Sequence, residues 1–241
     1  MVPLGSCEQH GHHLPLFVDS IEVTAIAQGA ERRLGDRVLL LPTLWLGSSH
    51  HHLDFPGTVS VMPSVYSSVI KSVAQSILKA GFRRLFFLNG HGGNQEPAAQ
   101  ALAELACESA AADDAYLVLS SWWKMLPADL SPEVDARKIS HACAFETSLI
   151  LALRPELVAL DAIREGRMVL DNHWVRTEDQ LSNRVSVFRR FHRLTASGSM
   201  GKPSTASADR GQRILDMVTN EVVEFIGDFA GWPELPAIGP R

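Results

Sequence analysis

The stretch RRLFFLNG, Arg83–Gly90, carries four apolar side chains in a row with no polar alternation. A strand of this kind is stable only with both faces covered, as in a parallel sheet packed between helices. The covering material lies on either side. PSVYSSVIKSVAQSILKAG, Pro63–Gly81, precedes it with helical periodicity, a proline in the first turn and a glycine at the end. EPAAQALAELACESAA, Glu96–Ala111, follows it. RVLLLPTL (Arg37–Leu44) and AYLVLSSW (Ala115–Trp122) read as further buried strands. Asp19–Gly35, Phe145–Val158 and Ser207–Phe229 read as helices. Strands separated by helices predict βαβ units and an α/β fold with an open, mostly parallel sheet. No repeat or low-complexity linker divides residues 1–241, so a single domain is expected, with the polar, irregular Asp161–Arg193 as an excursion from it. MVPLG at the start reads as the second half of a strand. Either an edge element is absent or the chain begins upstream of Met1.

In such a sheet ligands bind beyond the carboxyl ends of the strands. The chain places its chemistry there. After MVPLG comes SCEQHGHHLPLFVDS, with Glu8, His10 and Asp19. In an extended segment residues two apart share a side, so Glu8 and His10 address one point. Two carboxylates and an imidazole suit zinc, manganese or iron better than magnesium or a thiolate site. A satisfied polar loop is the alternative for this stretch alone.

After the Arg83–Gly90 strand comes NGHGGN, where glycines flank His91 and let the backbone turn close to a ligand. The spacing matches neither dinucleotide nor P-loop fingerprints, which disfavours a nucleotide-binding protein. HACAFETS supplies His141 and Glu146. The glutamate sits in an apolar run, where a buried carboxylate needs a partner. GSSHHHLDFPGT contains His50–His52, which cannot all face one ion. SGSMGKPSTASADRG offers backbone donors before the last helix, or an ordinary cap.

Bulk properties narrow the partners. A net charge of −5 argues against nucleic-acid binding, which usually shows a basic face, and against a polybasic membrane anchor. No apolar run approaches the roughly 20 residues of a membrane-spanning helix, and no signal peptide is evident. Three separated cysteines, Cys7, Cys107 and Cys143, fit a reducing cytoplasm.

Together and in this order, PLGSCEQHGHHLPLFVD, FPGT, NGHGGN and HACAFETS resemble the creatininase (creatinine amidohydrolase) superfamily, from Val2 to about Gly227. The resemblance implies a three-layer α/β/α sandwich, a homohexamer and two divalent metals per subunit, zinc or manganese, with iron an option. It implies that Glu8 and His91 hold one metal, His10 the other, and that Asp19 bridges them. The family's remaining ligand lies two residues after the glycine-loop histidine, where this chain has Gly93; Glu146 is the substitute. His141 matches the proton-shuttling histidine, so His141 and Glu146 form the implied catalytic pair. Ser49 matches a substrate-contacting position. Arg137 replaces a tryptophan that covers the substrate, and Trp122 and Trp123 are expected to line the pocket. The expected reaction is hydrolysis of an amide C–N bond in a small molecule by a metal-activated water. A mononuclear iron or zinc formamide hydrolase, a short-peptide-cleaving member, and a metal-binding scaffold or sensor remain the alternatives.

Overall fold

A computed structural model describes residues 1–127, 139–166, 169–176 and 183–236. Three strands form a parallel sheet in the order β1 (Val2–Leu4), β2 (Arg84–Asn89), β3 (Tyr116–Ser121). The apolar run of β2 divides by the twofold period of a strand. Leu85 and Phe87 enter one core with Val2 and Leu4, and Phe86 and Leu88 enter another. The first core is closed by helices α2 (Pro63–Lys79) and α3 (Gln95–Glu108), through Tyr66, Ile70, Ala98 and Leu102. The second is closed by α1 (Val18–Leu34), α4 (Ala144–Leu153) and α5 (Ala208–Ala230), through Val23, Ile26, Phe145, Ile214 and Val218. The result is a helix–sheet–helix sandwich, as expected from the unbroken apolar strands.

Two elements differ most from the sequence reading. Arg37–Leu44 is not a regular strand, although it runs beside β1. Met1 donates its ammonium to Leu39 O (2.7 Å) and accepts from Leu41 N (3.0 Å). Two residues on, Pro3 O is reached by Leu44 N (3.0 Å) instead of residue 43. Pro3 has no N–H to give to Leu41 O, the bond that would hold the register, so the ladder slips by one residue and only the Leu4–Leu44 bridge remains regular. α4 ends at Leu153, short of Val158, because Pro155 cannot continue it. By contrast α5 starts as predicted, with the Ser207 side chain accepting from Arg210 N. The described residues within 161–193 hold no helix beyond three-residue 3-10 turns, in keeping with their polar sequence.

Candidate metal centre

Every loop leaving the carboxyl end of the sheet contributes to one cluster. Gly90 ends β2 against the first turn of α1; a β-carbon there would lie 2.8 Å from the Asp19 carbonyl oxygen and 2.9 Å from Val23. Only glycine permits that approach, which brings Asp19 on α1 beside His91 on the β2 loop. Asp19 divides its oxygens. Oδ1 is 3.3 Å from His10 Nε2 and Oδ2 is 3.1 Å from His91 Nδ1. Glu8 Oε1 lies 3.4 Å from His91 Nδ1 and 3.9 Å from His10 Nε2. Glu146, in the first turn of α4, is 3.8 Å from His10 Nε2. The sequence thus named Glu8, His10, Asp19, His91 and Glu146 separately, and the fold brings all five together.

The imidazoles are aimed by their far nitrogens. His10 Nδ1 donates to the Glu8 carbonyl (3.1 Å), and His91 Nε2 to the Ser48 carbonyl (3.2 Å). Each therefore turns its other nitrogen to the carboxylates, as metal-bound histidines do. Ser49 is fully buried; its hydroxyl meets His91 Nε2 at 3.1 Å, so it braces His91 from behind. His141 Nε2 donates to the Gln9 carbonyl (2.8 Å), leaving Nδ1 as an acceptor 3.5 Å from Glu8 Oε1. Among the described residues, Ala142 is the one non-glycine in the left-handed region (φ 49°). That turn sets His141 and Glu146 on either side of the entry to α4.

The charges show what the cluster can hold. Burial works against ionised His10, yet Asp19, Glu146 and Glu8 overcome it and raise the imidazole to about 9. His91 is raised in the same way, against burial, by Glu8 and Asp19. Burial raises Glu146 to about 7, partly offset by His10. His141 goes the other way: burial, then His10, push it down to about 3, so it stays neutral. Glu8 Oε2, His10 Nε2, Asp19 Oδ2 and Glu146 Oε2 are buried without a hydrogen-bond partner. Unbonded buried carboxylate oxygens are costly. Protons on His10 and His91 relieve this in part; cations would do so fully. The donors also fit a divalent ion, since Glu8, His10 and Asp19 offer one atom each within 4.8 Å of one another, as do His10, His141 and Glu146.

A cavity of about 740 Å³ opens onto this cluster, with Trp123, Val185, Phe188 and Phe191 along its wall. Phe191 stacks on His52 (4.0 Å between centroids) and sits edge-on to His141 (4.8 Å). Trp122, expected to share the wall, is 1% exposed and turned into the α1–α5 core. Arg137 lies outside the described residues. His12 is exposed, and His13 is buried against Thr147 Oγ1 (3.0 Å), away from the ligand-facing atoms.

Three participants were not singled out by sequence. His52 Nε2 lies 3.6 Å from Glu8 Oε2, and its Nδ1 accepts from Gln9 Nε2 at 2.8 Å. Gln9 also donates to Gly198 O (3.1 Å), tying the first loop to the segment before α5. Glu22 is buried with both oxygens unbonded; burial, then Glu146 and Asp19, raise it well above the usual carboxyl range. Its signal was present, because Glu22 is one helical turn from Asp19 on the same face of α1.

The family model described as creatininase, creatinine amidohydrolase, matches residues 1–226. The chain is 30% identical over 243 residues to the mycofactocin precursor peptide peptidase of Mycobacterium ulcerans (strain Agy99), covering 97% of this chain and 86% of that protein. It is 31% identical over 242 residues to the creatinine amidohydrolase of Pseudomonas putida, covering 94% and 87%. The crystal structure of a creatinine amidohydrolase superposes with a TM-score of 0.78 at 27% identity, over 97% of this chain and 90% of that one. A zinc–zinc form of a mutant creatininase (TM-score 0.77, 28% identity) and a manganese form (0.76, 26%) each cover 95% of this chain and are themselves covered to 89%. Fold, motifs and relatives agree: the chain belongs to the creatininase family of amidohydrolases.

Proposed function

We propose that the chain is a metal-dependent hydrolase that cleaves an amide C–N bond of a small molecule at a dinuclear centre. The observation that carries this reading is Asp19, whose two oxygens face two different histidines. Glu8 and His91 would hold one ion, His10 and Glu146 the other, with Asp19 between them. Zinc or manganese suits this mixed oxygen and nitrogen set, and iron is chemically close. Bound cations would supply a water made acidic enough to ionise near neutral pH and would polarise the amide carbonyl.

The chain's own groups supply the rest. His141 keeps its Nε2 proton on the Gln9 carbonyl, so Nδ1 is the acceptor facing the centre. A proton taken there during attack can be returned to the leaving nitrogen. A ring nitrogen of His141 also lies within 4.8 Å of an oxygen of Glu8 and one of Glu146, so its position serves either half of the cluster. Phe191, stacked on His52 and edge-on to His141, covers this face with an apolar ring. Burial of the carboxylates strengthens their hold on a cation.

A cavity of about 740 Å³ is large for a small cyclic amide, which favours a longer substrate such as a short peptide as the second reading. We further propose a cytoplasmic homohexamer. Support comes from the three free cysteines and from Phe17 and Trp45, an exposed aromatic pair suited to self-association. Among the described residues no helix is long and apolar enough to cross a membrane.

The test is metal analysis of the purified protein, with a screen of lactams, formamides and short peptides by the zinc-, manganese- and iron-loaded forms. Two ions per chain are expected, and one would favour the mononuclear alternative. Protein free of divalent metal, with activity indifferent to Glu8→Gln, would overturn the proposal.

A further inference from the structure

Gly93 and His51 share one space. A β-carbon on Gly93 would lie 2.2 Å from the Ser48 carbonyl oxygen, 2.6 Å from His91 Nε2 and 2.8 Å from His51 Cε1. The first is backbone and cannot swing aside, so this loop accepts no side chain at position 93. The room is taken instead by His51, whose ring lies nearly parallel to that of His91 (17°, centroids 5.8 Å apart).

The three consecutive histidines have separate fates. They form a 3-10 turn, His50–His52, which points successive side chains about a third of a revolution apart. His50 turns away, with Nδ1 2.7 Å from the Ser60 hydroxyl. His52 is buried between Gln9 and Glu8. His51 is half-buried, lines the main cavity, and makes no hydrogen bond among the described residues. One of its ring nitrogens lies within 4.8 Å of both a Glu8 oxygen and a His91 nitrogen.

We propose that His51 is a further ligand of the ion held by Glu8 and His91. The inference rests on the metal-dependent reading above and goes beyond the ligand set expected from sequence. It makes the two subsites unequal. With Glu8, Asp19, His91 and His51, the first has four protein ligands and is closed. With His10, Asp19 and Glu146, the second has three and keeps a position open. Four protein ligands characterise metal sites that hold their ion, and three those that offer it to substrate. The glycine at 93 is then what makes room for the fourth ligand.

The experiment is chelator competition on the zinc-loaded protein, with metal counted after each step, and the visible spectrum of the cobalt-loaded protein. In the unaltered chain one ion should leave well before the other. His51→Ala and His51→Gln should weaken the tighter ion by at least about tenfold, the lower end for loss of even an outer partner of a metal site. They should also change the cobalt bands. His50→Ala should do neither. Both His51 variants holding metal as tightly as the unaltered chain, with unchanged cobalt bands, would overturn the inference while leaving the metal-dependent reading intact. An unaltered chain that takes up no divalent metal would overturn both.

Discussion

The two ends of the sheet treat charge in opposite ways. At the amino end, polar side chains beside the core are answered by backbone carbonyls. Arg84 donates from Nε to Phe229 O (3.1 Å) and from Nη2 to Trp232 O (2.6 Å). Tyr116 donates to Pro233 O (2.9 Å), and its ring packs edge-on against Phe229 and Trp232. At the carboxyl end, Glu8, Asp19 and Glu146 are buried together and each keeps an oxygen without a hydrogen bond. Carboxylates left without hydrogen bonds at one end only are suited to a cation that the chain does not itself supply. Stability should therefore respond to changes at the amino end, and ligand binding and catalysis to changes at the carboxyl end.

The strongest way to break this contrast is to remove the shared carboxylate. Asp19→Ala takes one oxygen from each half of the cluster. It should empty both halves and lower kcat by at least about a thousandfold, since bound ions would supply several kcal/mol of transition-state stabilisation. Metal analysis and turnover decide it, and a variant with full metal and full activity would remove the basis for a dinuclear site. His141→Ala is next, with an expected loss of about 10²- to 10⁴-fold in kcat and unchanged metal content. Unchanged activity would take the proton-transfer role away from His141. At the opposite end, Phe229→Ala should destabilise the fold by about 3–5 kcal/mol, because the ring is 4% exposed within the aromatic cluster. Denaturant unfolding measures this. Metal affinity and kcat of the folded fraction should not change, and a fall in either would show that the two ends are coupled.

The contrast also explains what could be read from sequence. β2, β3 and the five helices follow from apolar period and from breakers such as Pro63, because both faces of the sheet are buried. The ligand candidates were legible because each follows a recognisable strand or opens a recognisable helix. What escaped was decided by local backbone detail. Pro3 turned a plausible buried strand, Arg37–Leu44, into a slipped, bulged segment. A 3-10 turn after β3 sent Trp122 inward and Trp123 outward, and another dealt His50, His51 and His52 to three different neighbours. Ser49 was expected to face substrate and instead stands behind His91, since its hydroxyl is drawn to the imidazole. None of these outcomes has a periodic signature, so only the folded backbone could assign them.

The mildest test concerns the proton that stands in for the cation. In metal-free protein the surrounding carboxylates raise His10 from its ordinary 6.5 to about 9. Folding thus favours the protonated ring. The stability this contributes is complete below about pH 6.5, declines as pH rises, and is gone above about 9. His91, raised in the same sense, adds to the decline. Glu146, raised to about 7, has folding favour its neutral form, so its stabilisation is already lost between about 4.5 and 7. His141, pushed down to about 3, acts only on the acid side, where stability falls as pH drops below 6.5. Over the interval from 6.5 to 9 the His10 shift alone corresponds to roughly 3 kcal/mol, or a fall in Tm of roughly 6–12 °C for a chain of this length. Bound cations would take the place of the protons, so the zinc-loaded protein should show little change over the same interval. Thermal melts of chelator-treated and zinc-loaded protein at the two pH values give the comparison directly. A metal-free protein equally stable at both would mean that the buried carboxylates are neutralised by other means, and the electrostatic case for a cation at this end of the sheet would fail with it.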